Sequence, residues 1–113
     1  MQNIDTADMA IEIQRSLAIR ALRRSNVRRK ITEYLNTISP KTSYTSEIAY
    51  QVGATTSNVI GALRGIHTRY REEESLLQLH LVEEKTSKTH LRLYGITPYG
   101  QEILRTIQDR HRP

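Results

Sequence analysis

Residues 45–70 read TSEIAYQVGATTSNVIGALRGIHTRY, and the fold depends on whether this stretch forms two helices with a turn between them. Glu47, Ile48 and Ala49 open an apolar helix. Gly53 then allows a backbone conformation that residues with a Cβ resist, and Thr55, Thr56, Ser57 and Asn58 supply the hydroxyl and amide groups suited to starting a second helix. Helix, glycine turn and helix at this spacing predict a helix-turn-helix.

With each residue turning about 100°, a second helix carried as far as Tyr70 places Val59, Ala62, Leu63, Ile66 and Tyr70 on one narrow stripe, the expected buried side. Opposite it fall Ser57, Gly61, Arg64 and Thr68, with Asn58 on one flank. A small, polar, singly charged face of this kind suits a major groove, where hydroxyl, amide and guanidinium groups meet base edges and phosphates. An ordinary solvated surface helix has the same polarity. Gly61 and Gly65 shift the balance. Each glycine inside a helix costs about 1 kcal/mol relative to alanine, so two beside the outward face imply close approach by something bulky, a duplex backbone or another helix.

The whole chain agrees with a polyanionic partner. Its 113 residues suit one small domain with a modest core. The formal charge is +5 and the isoelectric point about 9.8. A hydrophobic fraction of 37%, with no Trp or Phe and six tyrosines, makes a thin core that a partner chain would complete. Cysteine is absent, which excludes disulfides and thiolate metal sites and fits an intracellular protein. No apolar run approaches the roughly 18 residues that span a bilayer, and the first residues lack a signal-peptide pattern. A cytoplasmic protein without membrane contact is expected.

Ahead of the central stretch, residues 4–22 predict a helix with two apolar rows: Ile4, Ala7, Ile11, Ala18 and Leu22, then Ala10, Ile13, Leu17 and Ala21. One row suffices to pack on its own domain, so two imply contact with a second subunit, unless the helix lies broadly across its own domain. Residues 1–24 are therefore read as a dimerisation helix and residues 25–113 as the domain proper. Arg15, Arg20, Arg23, Arg24, Arg28, Arg29 and Lys30 carry much of the positive field. Arg28 and Arg29 are taken as phosphate contacts, a solvated face being the plainer reading. Ser25 or Asn26 caps a helix with apolar positions Val27, Ile31, Tyr34, Leu35 and Ile38, which Ser39 and Pro40 end. Thr42, Ser43 and Tyr44 are β-prone and suit the first strand of a small sheet.

After Tyr70, Glu72, Glu73 and Glu74 would be repelled by DNA, so that turn is expected to face away from it or toward a basic patch on a partner. Leu81, Val82, Glu83 and Glu84 predict a strand, the five residues from Lys85 to Thr89 a turn, and the alternation from His90 to Tyr94 a returning strand. Lys85 and Lys88 are placed at the tip of this hairpin. Thr97 and Pro98 then cap and open a closing helix that uses Ile103, Leu104 and Ile107.

This order resembles the winged helix-turn-helix of MarR-like and ArsR-like transcription regulators. The resemblance runs from about Asn26 to Leu104 and rests on S-Y-T-S-E-I-A, V-G-A-T-T-S-N-V, L-V-E-E and L-Y-G-I-T-P-Y-G in that sequence. It implies an α+β, mainly α fold: a winged helix-turn-helix with an N-terminal helical extension and a C-terminal helix. It further implies that Thr56, Ser57, Asn58, Gly61 and Arg64 enter the major groove, and that Lys85, Lys88 and Arg92 lie on a wing that reaches flanking phosphates or the minor groove. Members of such families bind pseudo-palindromic double-stranded DNA as homodimers joined through terminal helices. Two departures stand out: the segment from Arg69 to Leu77 is long and acidic, and Ile60 takes the place of a polar residue. Metal sensing does not carry over, because His67, His80, His90 and His111 lack ligand spacing and there is no cysteine.

The leading expectation is a sequence-specific DNA-binding transcription regulator that works as a homodimer. The alternative is a winged-helix interaction module within a transcription or replication assembly, using the small face of Ser57, Gly61 and Gly65 and the glutamate run. An enzyme is not expected, since no phosphate loop, Ser-His-Asp order or H-E-x-x-H motif is present. No cofactor is expected, and nothing in the sequence identifies an effector.

Overall fold

A computed structural model describes residues 6–65 and 72–110. The protein is α+β and mainly helical. Helices α1 (Thr6–Arg24), α2 (Asn26–Ile38), α3 (Thr45–Val52) and α4 (Thr56–Arg64) lead to a short 3-10 turn (Glu72–Glu74). Strands β1 (Val82–Thr86) and β2 (Arg92–Ile96) follow, and α5 (Pro98–Arg110) closes the order.

Local chemistry explains most of the boundaries. The Ser25 hydroxyl accepts from Arg28 N–H at 3.1 Å, which satisfies an orphan donor at the start of α2. Ile31 and Leu35 then bury on that helix while Val27, Tyr34 and Ile38 pack partly against the core, the stripe expected from the sequence. Helix α3 stops at Gly53, whose φ of 69° and ψ of 38° are left-handed, with its N–H donating to Ala49 O. After a two-residue link the Thr55 hydroxyl accepts from Asn58 N–H at 3.1 Å and α4 begins.

Helix α4 ends at Arg64, short of the expected extension toward Tyr70. Gly65 takes a φ of 91° as its C-cap and is not inside the helix, so the glycine cost argued from sequence applies to Gly61 alone. Ile66, Thr68 and Tyr70 lie outside the described residues. The stop combines the local Gly65 cap with bonds from a returning segment. Leu76 N–H donates to Ala62 O at 3.0 Å and Leu77 N–H to Leu63 O at 3.1 Å, so a returning segment satisfies carbonyls of the last turn.

Strands β1 and β2 pair antiparallel with Val82 opposite Ile96 and Glu84 opposite Tyr94. The expected strand at Thr42, Ser43 and Tyr44 is a single bridge: Ser43 N–H donates to Tyr94 O at 2.9 Å and Tyr94 N–H to Ser43 O at 2.7 Å. The Thr97 hydroxyl caps α5 by accepting from Gly100 N–H at 2.8 Å, while it donates toward His80 O and Leu81 O. Gly100 sits so close to the chain before β1 that a Cβ there would lie 2.2 Å from Leu81 O.

One core joins these elements. Ile31, Leu35, Ile48, Val59, Leu63, Leu76, Leu81, Tyr94, Ile103 and Ile107 are buried in it, and Ala18, Ala21 and Leu22 bring the second half of α1 into the same cluster. Met9, Ile11, Ile13 and Leu17, which precede those three in α1, stay exposed. No helix among the described residues is long and apolar enough to cross a membrane.

Candidate functional site

The exposed side of α4 begins with Thr55, Thr56 and Ser57, continues through Ile60 and ends at Arg64. Thr56 and Ser57 stand open to solvent because α4 starts there, its first turn projecting from the link after Gly53. Asn58 is half-buried. Gly61 departs from the expected outward face: it is buried with Val59, Ala62 and Leu63, so it serves packing against the protein's own interior. Ile60 is 37% exposed, so the outward side of α4 carries an apolar residue among polar ones.

Arg64 links this helix to the hairpin. Its Nε lies 3.9 Å from Glu84 Oε2 on β1, and the same carboxylate oxygen accepts from Tyr94 Oη on β2 at 2.8 Å. Burial, and next the bond to Glu84, raise the Tyr94 pKa above that of an ordinary tyrosine; Arg64 opposes the shift only weakly. Sequence reading passed over Glu84 and Tyr94 as strand residues. The signal was available in the hairpin itself, since a turn centred on residues 87–91 sets these two side chains opposite each other.

The turn of that hairpin is built by Ser87. Its N–H donates to Leu91 O at 2.8 Å and its hydroxyl accepts from Leu91 N–H at 3.1 Å. Lys88 occupies the turn and is exposed, as expected, and so is Arg92 at the start of β2. Lys85 is exposed too but belongs to β1 opposite Leu93, one step down from the tip, with its ammonium 3.5 Å from Glu83. The structure thus ties Arg64 to the strand next to Lys85, while Lys88 extends beyond the paired residues.

Arg28 and Arg29 are not part of this surface. Arg28 is 5% exposed, and its Nη1 lies 3.6 Å from Glu74 Oε2. That corrects its assignment as a phosphate contact: the side chain is sealed inside the protein against its own carboxylate. Arg20 and Arg24, from successive turns of α1, approach the other oxygen of Glu74 at 3.6 and 3.8 Å. Glu74 therefore meets a basic patch of its own chain, where the sequence pointed to one on a partner. Arg29 donates to Asn26 Oδ1 on its own helix and is half-buried. On the opposite side of α1, Arg15 pairs with Glu102 of α5 at 2.6 Å and donates to Thr106 Oγ1 at 3.1 Å.

Among the described residues, no group of three or more His, Asp or Glu side chains is placed to hold a metal ion. The hollows on α1 are shallow and open: one is lined by Glu12, Ile13, Ser16, Leu17 and Arg20, and a second by Ser16, Ile19, Arg20, Arg23 and Arg24.

Comparison with known proteins places these features in a family. An uncharacterised protein of Methanocaldococcus jannaschii is 36% identical over 94 residues, which cover 83% of this chain and 84% of the relative. No solved structure matches the chain. The family model described as EarA-like matches residues 18–107, from the buried part of α1 to the last core residue of α5. The chain belongs to the EarA-like family.

Proposed function

We propose that the protein is a sequence-specific double-stranded DNA-binding regulator of transcription, a winged helix-turn-helix that works in the cytoplasm as a homodimer. The observation that carries the proposal is the pairing of α3 and α4 across the left-handed Gly53, which leaves Thr56, Ser57 and Arg64 on the open side of α4. Supporting it, the extended chain at Ser43 adds to the edge of β2, so that helix, bridge, two helices and hairpin follow one another as a winged helix requires. The hairpin stands beside α4 through Arg64 and Glu84 and offers Lys88 and Arg92 to phosphates. A net charge of +5 favours the encounter.

Fluorescence polarisation with duplex fragments from the organism's own promoters, at several salt concentrations, tests the reading. Binding should weaken steadily with salt, roughly as the 0.9 power per neutralised phosphate, and one fragment should outcompete random duplex. Absence of binding at low salt overturns it.

Tyr50, 81% exposed on α3, and Ile60 on α4 favour a second reading, a module that docks on another protein of a transcription or replication assembly. A stoichiometric protein partner, captured by the wild type and lost with Tyr50→Ala, together with salt-insensitive or absent DNA binding, would select it.

A further inference from the structure

Helix α1 buries Ala18, Ala21 and Leu22 and turns its other side to solvent. At about 100° per residue, the residues opposite that buried face form two adjoining rows. One is Met9, Ile13 and Leu17, which are 49%, 59% and 36% exposed. The other is Glu12, Ser16 and Arg20, all exposed. The rows meet in the open hollow lined by Glu12, Ile13, Ser16, Leu17 and Arg20.

We infer that this face is the dimer contact, and that two copies of α1 cross antiparallel with the twofold axis at Ser16. The inference rests on the homodimer part of the proposed function and gives it residues and a direction. The second copy is selected by the charges. Glu12 and Arg20 stand at equal sequence distances on either side of Ser16 and carry opposite signs, so a twofold axis at Ser16 sets Glu12 against Arg20 of the partner, twice. A parallel pairing would instead oppose like charges at both places. The small hydroxymethyl of Ser16 at the crossing lets the helices approach, and Ile13 and Leu17 of each copy cover one another beside it. Antiparallel packing also aligns the two helix dipoles favourably.

Within one chain Arg20 lies 3.6 Å from Glu74, a carboxylate that Arg24 and Arg28 also serve. Arg20 is the most readily shared of the three, because it alone faces the hollow that Glu12 lines.

The chain has no cysteine, so single cysteines report the contact cleanly. Helices packed with axes about 8–10 Å apart bring Cα atoms at the crossing within the reach of a disulfide. Under mild oxidation Ser16→Cys should cross-link to itself. Glu12→Cys and Arg20→Cys should each cross-link poorly alone and about five-fold better or more when mixed, as disulfide geometry demands. Light scattering on the wild type should give the mass of two chains, and Leu17→Glu, at an exposed position where folding is not at stake, the mass of one. A monomeric wild type overturns the inference. So does self-linking of Glu12→Cys or Arg20→Cys that equals the mixture, or a Ser16→Cys that stays reduced. None of these readouts contains DNA, so a protein that dimerises this way and fails to bind DNA refutes the DNA reading and leaves this one standing.

Discussion

Arg64, at the last residue of α4, lies 3.9 Å from Glu84 on β1, and both side chains retain solvent contact, 40% and 26% exposed. A half-exposed pair at this distance is worth about 0–1 kcal/mol, so it can be exchanged for a better partner. If DNA enters beside α4, a phosphate or base edge competes with Glu84 for the guanidinium, and the carboxylate repels the duplex.

Glu84→Gln should therefore tighten DNA binding by about five-fold, near 1 kcal/mol. The amide still accepts from Tyr94 Oη, so the hairpin keeps its cross-strand bond. Arg64→Ala should weaken the preferred site more than random duplex, while Lys88→Ala should weaken both alike. Polarisation titrations check all three. A Glu84→Gln protein that binds no better would remove Arg64 from the contact.

Glu74 should be more sensitive than its neighbour Glu73. It is 12% exposed in its side chain and faces Arg28, itself 5% exposed, with Arg20 and Arg24 on its outer side. Removing the carboxylate takes an ion pair from a buried guanidinium, at a cost of about 2 kcal/mol. Glu74→Ala should lower the urea midpoint by that equivalent, and Glu73→Ala, at an exposed position, should leave it within about 0.5 kcal/mol. Equal effects from both would show that the Glu74 carboxylate adds no more to stability than its exposed neighbour.

What could be read from sequence was local, and what could not was settled across the chain. Ser25, Gly53, Thr55 and Thr97 cap or end helices through bonds to neighbours a few residues away, so their roles follow from short motifs. The last-turn carbonyls of α4 find their partners in Leu76 and Leu77, which no window around Arg64 contains. Arg28 sits in a basic run and looked solvent-facing until Glu74, from a distant turn, was folded against it. Gly61 fell on the outward side by angle alone, yet the packing around α4 covers it. For the candidate interface, Thr56, Ser57, Arg64, Lys88 and Arg92 are exposed where the pattern put them, whereas Glu84 required the strand register.

Two glycines should respond differently to a single methyl group. At Gly100 a Cβ would lie 2.2 Å from Leu81 O, a contact with backbone that no rotamer relieves. Gly100→Ala should push α5 off the start of β1 and cost at least about 2 kcal/mol, in the range of overpacked sites. At Gly53 there is open space but a φ of 69°, so Gly53→Ala should cost about 1 kcal/mol, the left-handed penalty of a residue with a Cβ. Chemical denaturation ranks the two, and the reverse order would contradict the close approach at Leu81.

Tyr94 gives the protein an alkaline limit. Its ring is 1% exposed, and burial together with the bond to Glu84 holds its pKa above the ordinary 10.0. The unfolded chain releases this proton near pH 10 while the folded chain keeps it. The stabilisation is therefore complete below about pH 10 and declines as the pH climbs from there toward the folded value. Tyr99, also raised by burial, adds in the same direction. Tyr94→Phe should lose about 1 kcal/mol at neutral pH with the hydrogen bond. It should then fall less steeply than the wild type when urea midpoints are followed from about pH 8 to about pH 11, where tyrosines ionise. Wild-type and Tyr94→Phe curves that stay parallel through this range would mean that the Tyr94 proton is not retained by the fold.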